Sequence, residues 1–408
     1  MRDALLLLIA ATQLLLPGGA LANASEFVTA QGSRLMLGNK EYRAIGANVP
    51  HLHQIYMGTW FHLTQIYGTP EKAKQAAVDA ILDAEKNGVA FIRFFASPGY
   101  PRDLAKLYLR DPEQYWRLMD ELFGLCRRHH VKLVPCLSAI YGWHLAYGEP
   151  SQAILDAKSK TYQATYKYLR EFVSRYKDDP NVLMWELENE AFLTADLNMT
   201  GRQFPGLGVY PEGTSAIREK GTLEDSLTFA MLQRLYRDLT AFIKGMDPNH
   251  LVTSGDADVR DCSESLRESF PDQVWRLDTL RQHLSNLLAS QPEPLDVLSI
   301  HAYGPGENSG RPGNLPALDY YQCLIRAIHA ARSPVFVGEL GNVKPFFRED
   351  PDAGWTRSAI DMIEQERVAL AALWVWHFPW QPEFTVTGAS HPLLARRIAQ
   401  FNRKYAGL

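Results

Sequence analysis

The sequence predicts an α/β chain folded as a (β/α)8 TIM barrel with long loops at the C-terminal face of its strands. Three observations predict it. Short apolar runs rich in Val, Ile, Leu and Phe alternate with longer stretches of helical periodicity, the pattern of parallel strands joined by helical crossovers. There are eight such repeats, and the 408 residues suit one barrel of about 200 to over 400 residues. The surplus length falls after the strands, where this fold builds its sites.

Taken in order, residues 1–22 combine Arg2, an apolar stretch, the helix-breaking Pro17, Gly18 and Gly19, and a small-x-small Ala20-Leu21-Ala22. This is the pattern of a cleaved signal peptide, so residues 23–408 are expected to form the barrel domain of a secreted or periplasmic protein. Short strands broken at residues 31–33 and 38–40 come next. The eight barrel strands are expected at residues 42–48 (YRAIGAN), 89–95 (VAFIRFF), 131–137 (VKLVPCL), 181–187 (NVLMWEL), 250–255 (HLVTSG), 296–303 (DVLSIHAY), 334–340 (PVFVGEL) and 371–378 (AALWVWHF). Helical stretches between them include PEKAKQAAVDAILDAEKNG, PEQYWRLMDELFGLCRRHH, QATYKYLREFVSRYKDDP and DSLTFAMLQRLYRDLTAFIKGMDP. Long loops follow the fourth, fifth and sixth strands, and the chain carries no linker, low-complexity tract or second-domain boundary.

Composition narrows the function. Hydrophobic residues make up 46% of the chain, enough to bury a large core. Lys+Arg at 42 against Asp+Glu at 46 gives a net charge of -4 with no long single-sign run, so neither nucleic acid nor stable membrane association is expected. Cys126, Cys136, Cys262 and Cys323 are too scattered for a disulfide framework or zinc site, with Cys262 the best candidate for half of any single bridge. Asn23 and Asn198 begin glycosylation sequons.

In a barrel, polar residues at the C-terminal strand ends are site candidates. Asn48 ends the first strand, Arg93 the second, Asn189 and Glu190 follow the fourth, His301 and Tyr303 end the sixth, Glu339 ends the seventh, and Trp374 and Trp376 lie on the eighth. Glutamates on strands four and seven face each other across the mouth. Glycoside hydrolysis needs such a pair, one acid protonating the leaving oxygen and one carboxylate attacking the anomeric carbon. Arg93 is placed to hold Glu339 ionised, and Tyr303 to hydrogen-bond it. A partly desolvated Glu190 beside another carboxylate is expected to have a raised pKa. Glu186 and Glu188 are expected to bond Arg93 or neighbouring strands.

These pieces resemble glycoside hydrolase family 5 over nearly the whole chain after the leader: RAIGANV, FIRFF, DDPNVLMWELENE, LVTSG, LDVLSIHAY, SPVFVGELG and ALWVWHF. The resemblance implies Glu190 as acid/base, Asn189 as partner of the sugar 2-hydroxyl, Glu339 as nucleophile, and a tryptophan at the end of strand eight beneath the sugar, here Trp376, with Trp374, which points the same way by alternation, as the other match. With Arg93, His301 and Tyr303 these form the expected substrate-binding set, and no cofactor or metal is expected. WELENE and the aromatic continuation of strand three are similar to the mannanase branch, although residues 136–139 lack the asparagine usual there. The expected substrate is therefore a β-linked polysaccharide or oligosaccharide, first of all a β-1,4-mannan, with endo-glucanase or exo-glycosidase action of the same family as the alternative. Trp60, Tyr100, Tyr141, Trp143 and Trp380 are further sugar-stacking candidates, for which loop packing is the plainer reading.

Two readings from other classes compete. His51 and His53 form an HxH past strand one, which is how amidohydrolase-type metal sites begin, with His301 a further ligand. Against it, Glu190 stands where a bridging lysine is needed, and no aspartate ends strand eight. A non-catalytic sugar-binding barrel is the other, but both glutamates and the arginine are present.

Overall fold

The computed structural model describes residues 26–60, 62–98, 102–138, 142–203, 220–304, 311–342 and 354–408. The expected leader, with Asn23, and the stacking candidates Tyr100 and Tyr141 lie outside the described residues. A small antiparallel sheet, β1 (Val28–Gln31), β2 (Arg34–Leu37) and β3 (Lys40–Glu41), precedes the barrel. Its two turns fall where the sequence breaks, with Gly32 and Gly38 at φ +60° and +58°.

The eight expected barrel strands are all present: β4 (Ala44–Asn48), β5 (Phe91–Phe95), β6 (Lys132–Cys136), β7 (Met184–Glu186), β8 (Leu251–Thr253), β9 (Leu298–Tyr303), β10 (Val335–Gly341) and β11 (Leu370–Leu373). They pair in parallel in the order β8-β7-β6-β5-β4-β11-β10-β9, and a parallel bridge between Thr253 and Val297 closes the ring. The crossovers carry helices such as Pro70–Lys86, Pro112–Arg128, Lys160–Tyr176 and Phe229–Lys244, each where helical periodicity predicts one. Their starts have local causes: Thr69, Asp111, Ser159 and Thr228 each accept a first-turn backbone N–H, and proline occupies the first turn of two of them.

Alternation divides each strand between two layers. Ile45, Ala47, Ile92, Phe94, Trp185, Ile300, Val335 and Val337 pack outward with the helices. Phe91, Val134, Met184, Leu251 and Phe336 cluster with Val28 and Leu35 of the small sheet, which therefore closes the N-terminal end of the barrel. Polar side chains are left for the other end. In β10 the register slips between Val337 and Glu339, so Gly338 is an extra residue. Strict alternation from Val335 and Val337 would send Glu339 to the helices, and the bulge turns it inward.

All four cysteines are free, so Cys262 is not half of a bridge. Among the described residues no helix is long and apolar enough to cross a membrane.

The last helix, Pro392–Tyr405, is tied to the first barrel strand by buried Asn402, whose Oδ1 accepts Ile45 N–H at 2.8 Å and whose Nδ2 donates to the Ile45 and Gly88 carbonyls at 2.7 Å each. Asn402→Ala orphans three buried backbone groups and is expected to cost about 2–4 kcal/mol. A denaturant midpoint equal to wild type would show that water replaces the amide.

Candidate active site

The site is assembled around Arg93, which is fully buried at the end of β5. Its Nε donates to both Glu186 oxygens at 2.9 and 2.8 Å, Nη2 to Glu186 at 2.6 Å and Asn189 Oδ1 at 2.6 Å, and Nη1 to Asn48 Oδ1 at 2.8 Å and Glu339 Oε1 at 3.0 Å. All five N–H groups of a guanidinium are thus engaged. Strand register arranges this, because Asn48 pairs with Arg93 across β4 and β5. Burial pulls the Arg93 pKa down, but the charges of Glu186 and Glu339 more than offset it and keep the group a cation.

Glu339 accepts from Arg93 on one oxygen and from the Tyr303 hydroxyl on the other. Burial and the Glu339 charge push the Tyr303 phenol well up, so it remains a donor. His301, paired in register with Glu339, places Nδ1 at 2.8 Å from Glu190 Oε1 and 3.5 Å from Glu339 Oε2. Donor atoms of Glu190, His301 and Glu339 all lie within 4.8 Å of one another. The two glutamates therefore point into a shared cleft.

Glu190 sits in the left-handed region at φ 56°, ψ 30°, at the entry to the short helix Ala191–Thr194. That conformation is uncommon for a side-chain-bearing residue. Neighbours hold it: Glu190 N–H donates to Gly255 O at 3.1 Å, and Phe192 N–H to Asp256 Oδ1 at 3.0 Å. Burial pushes the Glu190 carboxyl up, but the hydrogen bond and charge of His301 and the charge of Arg93 outweigh it, and the net shift is downward. The expectation of a raised pKa is corrected, because the sequence does not reveal that an imidazole bonds the carboxylate. His301 is shifted the other way: burial lowers it, and Glu339 and Glu190 raise it further. The pair therefore holds a proton on the histidine.

Of the expected site residues, Arg93, Asn189, Glu190, His301, Tyr303 and Glu339 are brought together. With its oxygen bound to Arg93, Asn189 has only N–H donors to offer a ligand. Glu186 is Arg93's principal partner, and Glu188 is buried with Oε2 at 3.3 Å from the Asn189 N–H.

Trp376 does not join them. It is fully buried, and its indole N–H bonds Ala80 O in the helix Pro70–Lys86. The strand ends at Leu373, so the alternation that points Trp374 and Trp376 the same way does not carry on to residue 376. Half-buried Trp374 is the one near the site, its backbone N–H bonding Leu340 O and its indole bonding Gln381 at 3.0 Å. Trp60 and Trp143 are buried, whereas Trp380 is exposed and stacks on His62 at 3.5 Å.

His51 and His53 are buried at the helix Leu52–Tyr56, His51 edge-on to Trp60 and Phe378, and His53 against Phe94. Burial lowers both pKa values to about 3. Among the described residues the group able to share an ion is Glu190, His301 and Glu339, without His51 or His53. The amidohydrolase arrangement is therefore not formed. A cation at the trio would share Glu339 with the Arg93 guanidinium, which bonds its Oε1 at 3.0 Å.

Sequence reasoning missed Asp256, the residue immediately past the end of the fifth strand as expected and so within reach of the strand-end rule. It is buried, accepts from Phe192 N–H and from the Tyr236 hydroxyl at 2.6 Å, and so anchors the Glu190 turn.

A model described as cellulase, glycosyl hydrolase family 5, matches residues 133–378. The chain is 24% identical over 307 residues to mannan endo-1,4-beta-mannosidase 8 of Oryza sativa subsp. japonica, covering 67% of this chain and 72% of that protein. It is 24% identical over 221 residues to probable mannan endo-1,4-beta-mannosidase F of Aspergillus flavus, covering 48% of this chain and only 40% of that longer protein. The endo-1,4-beta-mannanase from Rhizomucor miehei superposes with a TM-score of 0.60 at 16% identity, covering 94% of this chain and 100% of that one, a likeness of fold.

Burial raises the Asp256 pKa from 3.8 to about 6, against the pull of its Tyr236 and Phe192 bonds. Between those values the folded state binds more proton than the unfolded, so stability falls as pH rises from about 4 to about 6. Asp256→Asn is expected to flatten that slope in urea unfolding measured across pH 4 to 7. An unchanged slope would assign it to another group.

Proposed function

The chain belongs to glycosyl hydrolase family 5, and on that premise we propose that it is an exported endo-β-1,4-mannanase acting with retention of configuration. The observation that carries the mechanism is the closeness of Glu190 and Glu339, within 4.8 Å by donor atoms. Retaining pairs stand about 5–5.5 Å apart, whereas inverting pairs need about 6.5–9.5 Å to admit a water. The names of the rice and Aspergillus relatives support mannan as substrate, and the composition of residues 1–22 supports export.

Glu339 attacks the anomeric carbon as the bond to the leaving oxygen breaks, and Glu190 gives that oxygen its proton. Water then donates a proton to Glu190 and attacks the same carbon, releasing Glu339. Arg93 and Tyr303 hold the nucleophile in place and ionised. His301 is the proton store. The proton rests on the imidazole, and a sugar that excludes water from Glu190 favours its transfer along the 2.8 Å hydrogen bond, leaving a neutral pair with Glu190 as acid. Asn189 offers N–H to the 2-hydroxyl, and Trp374 offers its face to the ring.

Glu190→Ala is expected to lower kcat on mannan about 10²–10⁴-fold, and far less on a dinitrophenyl mannoside whose leaving group needs no acid. Glu339→Ala should abolish turnover of both while keeping the fold, with lowered stability because buried Arg93 loses a partner. Comparison of purified protein on mannan, cellulose and xylan tests the substrate: equal or better kcat/KM on glucan would replace mannan, and wild-type-like rates in either variant would sink the mechanism.

A further inference from the structure

Outside the ring of strands, the last two crossover helices enclose a cavity of about 380 Å³, within the range of about 300–1,000 Å³ typical of small-ligand sites. One wall is the helix Gly354–Gln365, which follows β10, and the other is Pro392–Tyr405, which follows β11. Residues three and four apart share one face of a helix. Arg357 and Asp361 accordingly line the cavity from the first helix, and Arg396, Arg397 and Gln400 from the second. No side chain of the active site takes part.

The charges in this cavity do not balance. Arg397 donates from Nε to Asp361 Oδ1 at 3.0 Å, and from Nη2 to Asp361 Oδ1 at 2.8 Å and Glu364 Oε2 at 2.5 Å. That pairing latches the two helices together and uses the one carboxylate in the lining. Arg357 and Arg396 remain, and among the described residues neither forms an ion pair. Arg357 Nε is moreover buried without a hydrogen-bond partner, the one guanidinium nitrogen in that state among the described residues. A buried charged donor without an acceptor is costly, and a bound anion removes the cost. Gly354 and Leu393 bring the first turns of both helices to the cavity, where unpaired backbone N–H groups add partial positive charge.

We propose that this cavity binds a phosphate or sulfate group, as the free ion or as the ester of a sugar. A carboxylate offers two oxygens and one charge, which a single guanidinium satisfies in a bidentate pair. A tetrahedral oxyanion has more oxygens and, as phosphate, close to two charges, so it engages Arg357 and Arg396 from the two helices at once. Ser358 and Gln400 add a hydroxyl and an amide to the same lining. The volume exceeds that of the ion and leaves room for an attached sugar. The site stands apart from the glycosidase reading, since neither arginine belongs to the catalytic machinery.

The test titrates inorganic phosphate, inorganic sulfate, glucose 6-phosphate and acetate into the full chain by calorimetry in about 0.15 M NaCl, where long-range surface attraction is screened. Saturable binding of at least one of the first three is expected, with acetate weaker by about tenfold or more. Arg357→Gln and Arg396→Gln each remove one guanidinium without breaking an ion pair, and each should weaken binding by more than about tenfold while the protein still unfolds cooperatively. Arg403→Gln, exposed on the same helix and outside the cavity, should bind as wild type does. Tighter binding of the inorganic ion upholds the site as one for free oxyanion, and tighter binding of the ester upholds it as one for a phosphorylated sugar. The proposal is overturned by wild-type protein without saturable binding, by acetate binding as tightly as phosphate, by wild-type affinity in both cavity variants, or by the same loss in Arg403→Gln.

Discussion

One buried cation organises the mouth of this barrel. From β5, Arg93 joins four side chains of three other strands or their ends: Asn48 from β4, Glu186 and Asn189 from β7 and the segment after it, and Glu339 from β10. Burying a guanidinium is costly, and the burial is tolerated because two carboxylates and two amide oxygens replace its water. Losing one partner of such a pair typically costs about 3–5 kcal/mol, since the other charge stays buried. The same bonds that make the cation tolerable fix where the Glu339 carboxylate, the proposed nucleophile, points. Stability and chemistry are therefore coupled at this residue, whereas in most of the barrel they are separated.

That separation is visible end to end. The N-terminal end is closed by the small sheet and filled with Phe91, Val134, Met184 and Phe336. The opposite end holds Arg93, Glu186, His301 and Glu339. Ring closure leaves no free strand edge, so each inward position at the top is fixed relative to its neighbours. Glu190 stands outside this frame, on a turn rather than a strand, and needs Gly255 and Asp256 to set its direction. A Cβ on Gly255 would lie 1.8 Å from Glu188 O and 2.6 Å from the Glu186 carboxylate, which is why the chain passes there without a side chain.

Much of this was legible in the sequence because it follows from periodicity and strand ends. The eight strands, the small sheet before them, the principal helices and the convergence of Arg93, Asn189, Glu190, His301 and Tyr303 need only periodicity and the rule that sites form at one end, and Glu339 is found by the strand-end rule alone, since alternation would turn it outward. What was hidden depends on local departures from regularity or on pairs distant in the chain. Alternation points Trp374 and Trp376 the same way, and the early end of β11, which separates them, is not visible in the sequence. The 2.8 Å bond between His301 and Glu190, 111 residues apart, reverses the sign of a pKa shift that burial alone would give. Asp256 was hidden for a simpler reason: a carboxylate just past a strand end looks the same in sequence whether it anchors a turn or meets a ligand.

The slip at Gly338 has a consequence for how such a chain can change over time. A strand's two faces are a matter of odd and even positions, and the one supernumerary residue switches that parity for everything after it in β10. Substitution can exchange the glutamate's neighbours, but a shortening by one residue there would leave the composition almost intact and bury the carboxylate among hydrocarbon. Insertions and deletions are therefore filtered far more severely in this strand than in the loops above it, and its length is as much a part of the active site as its acid.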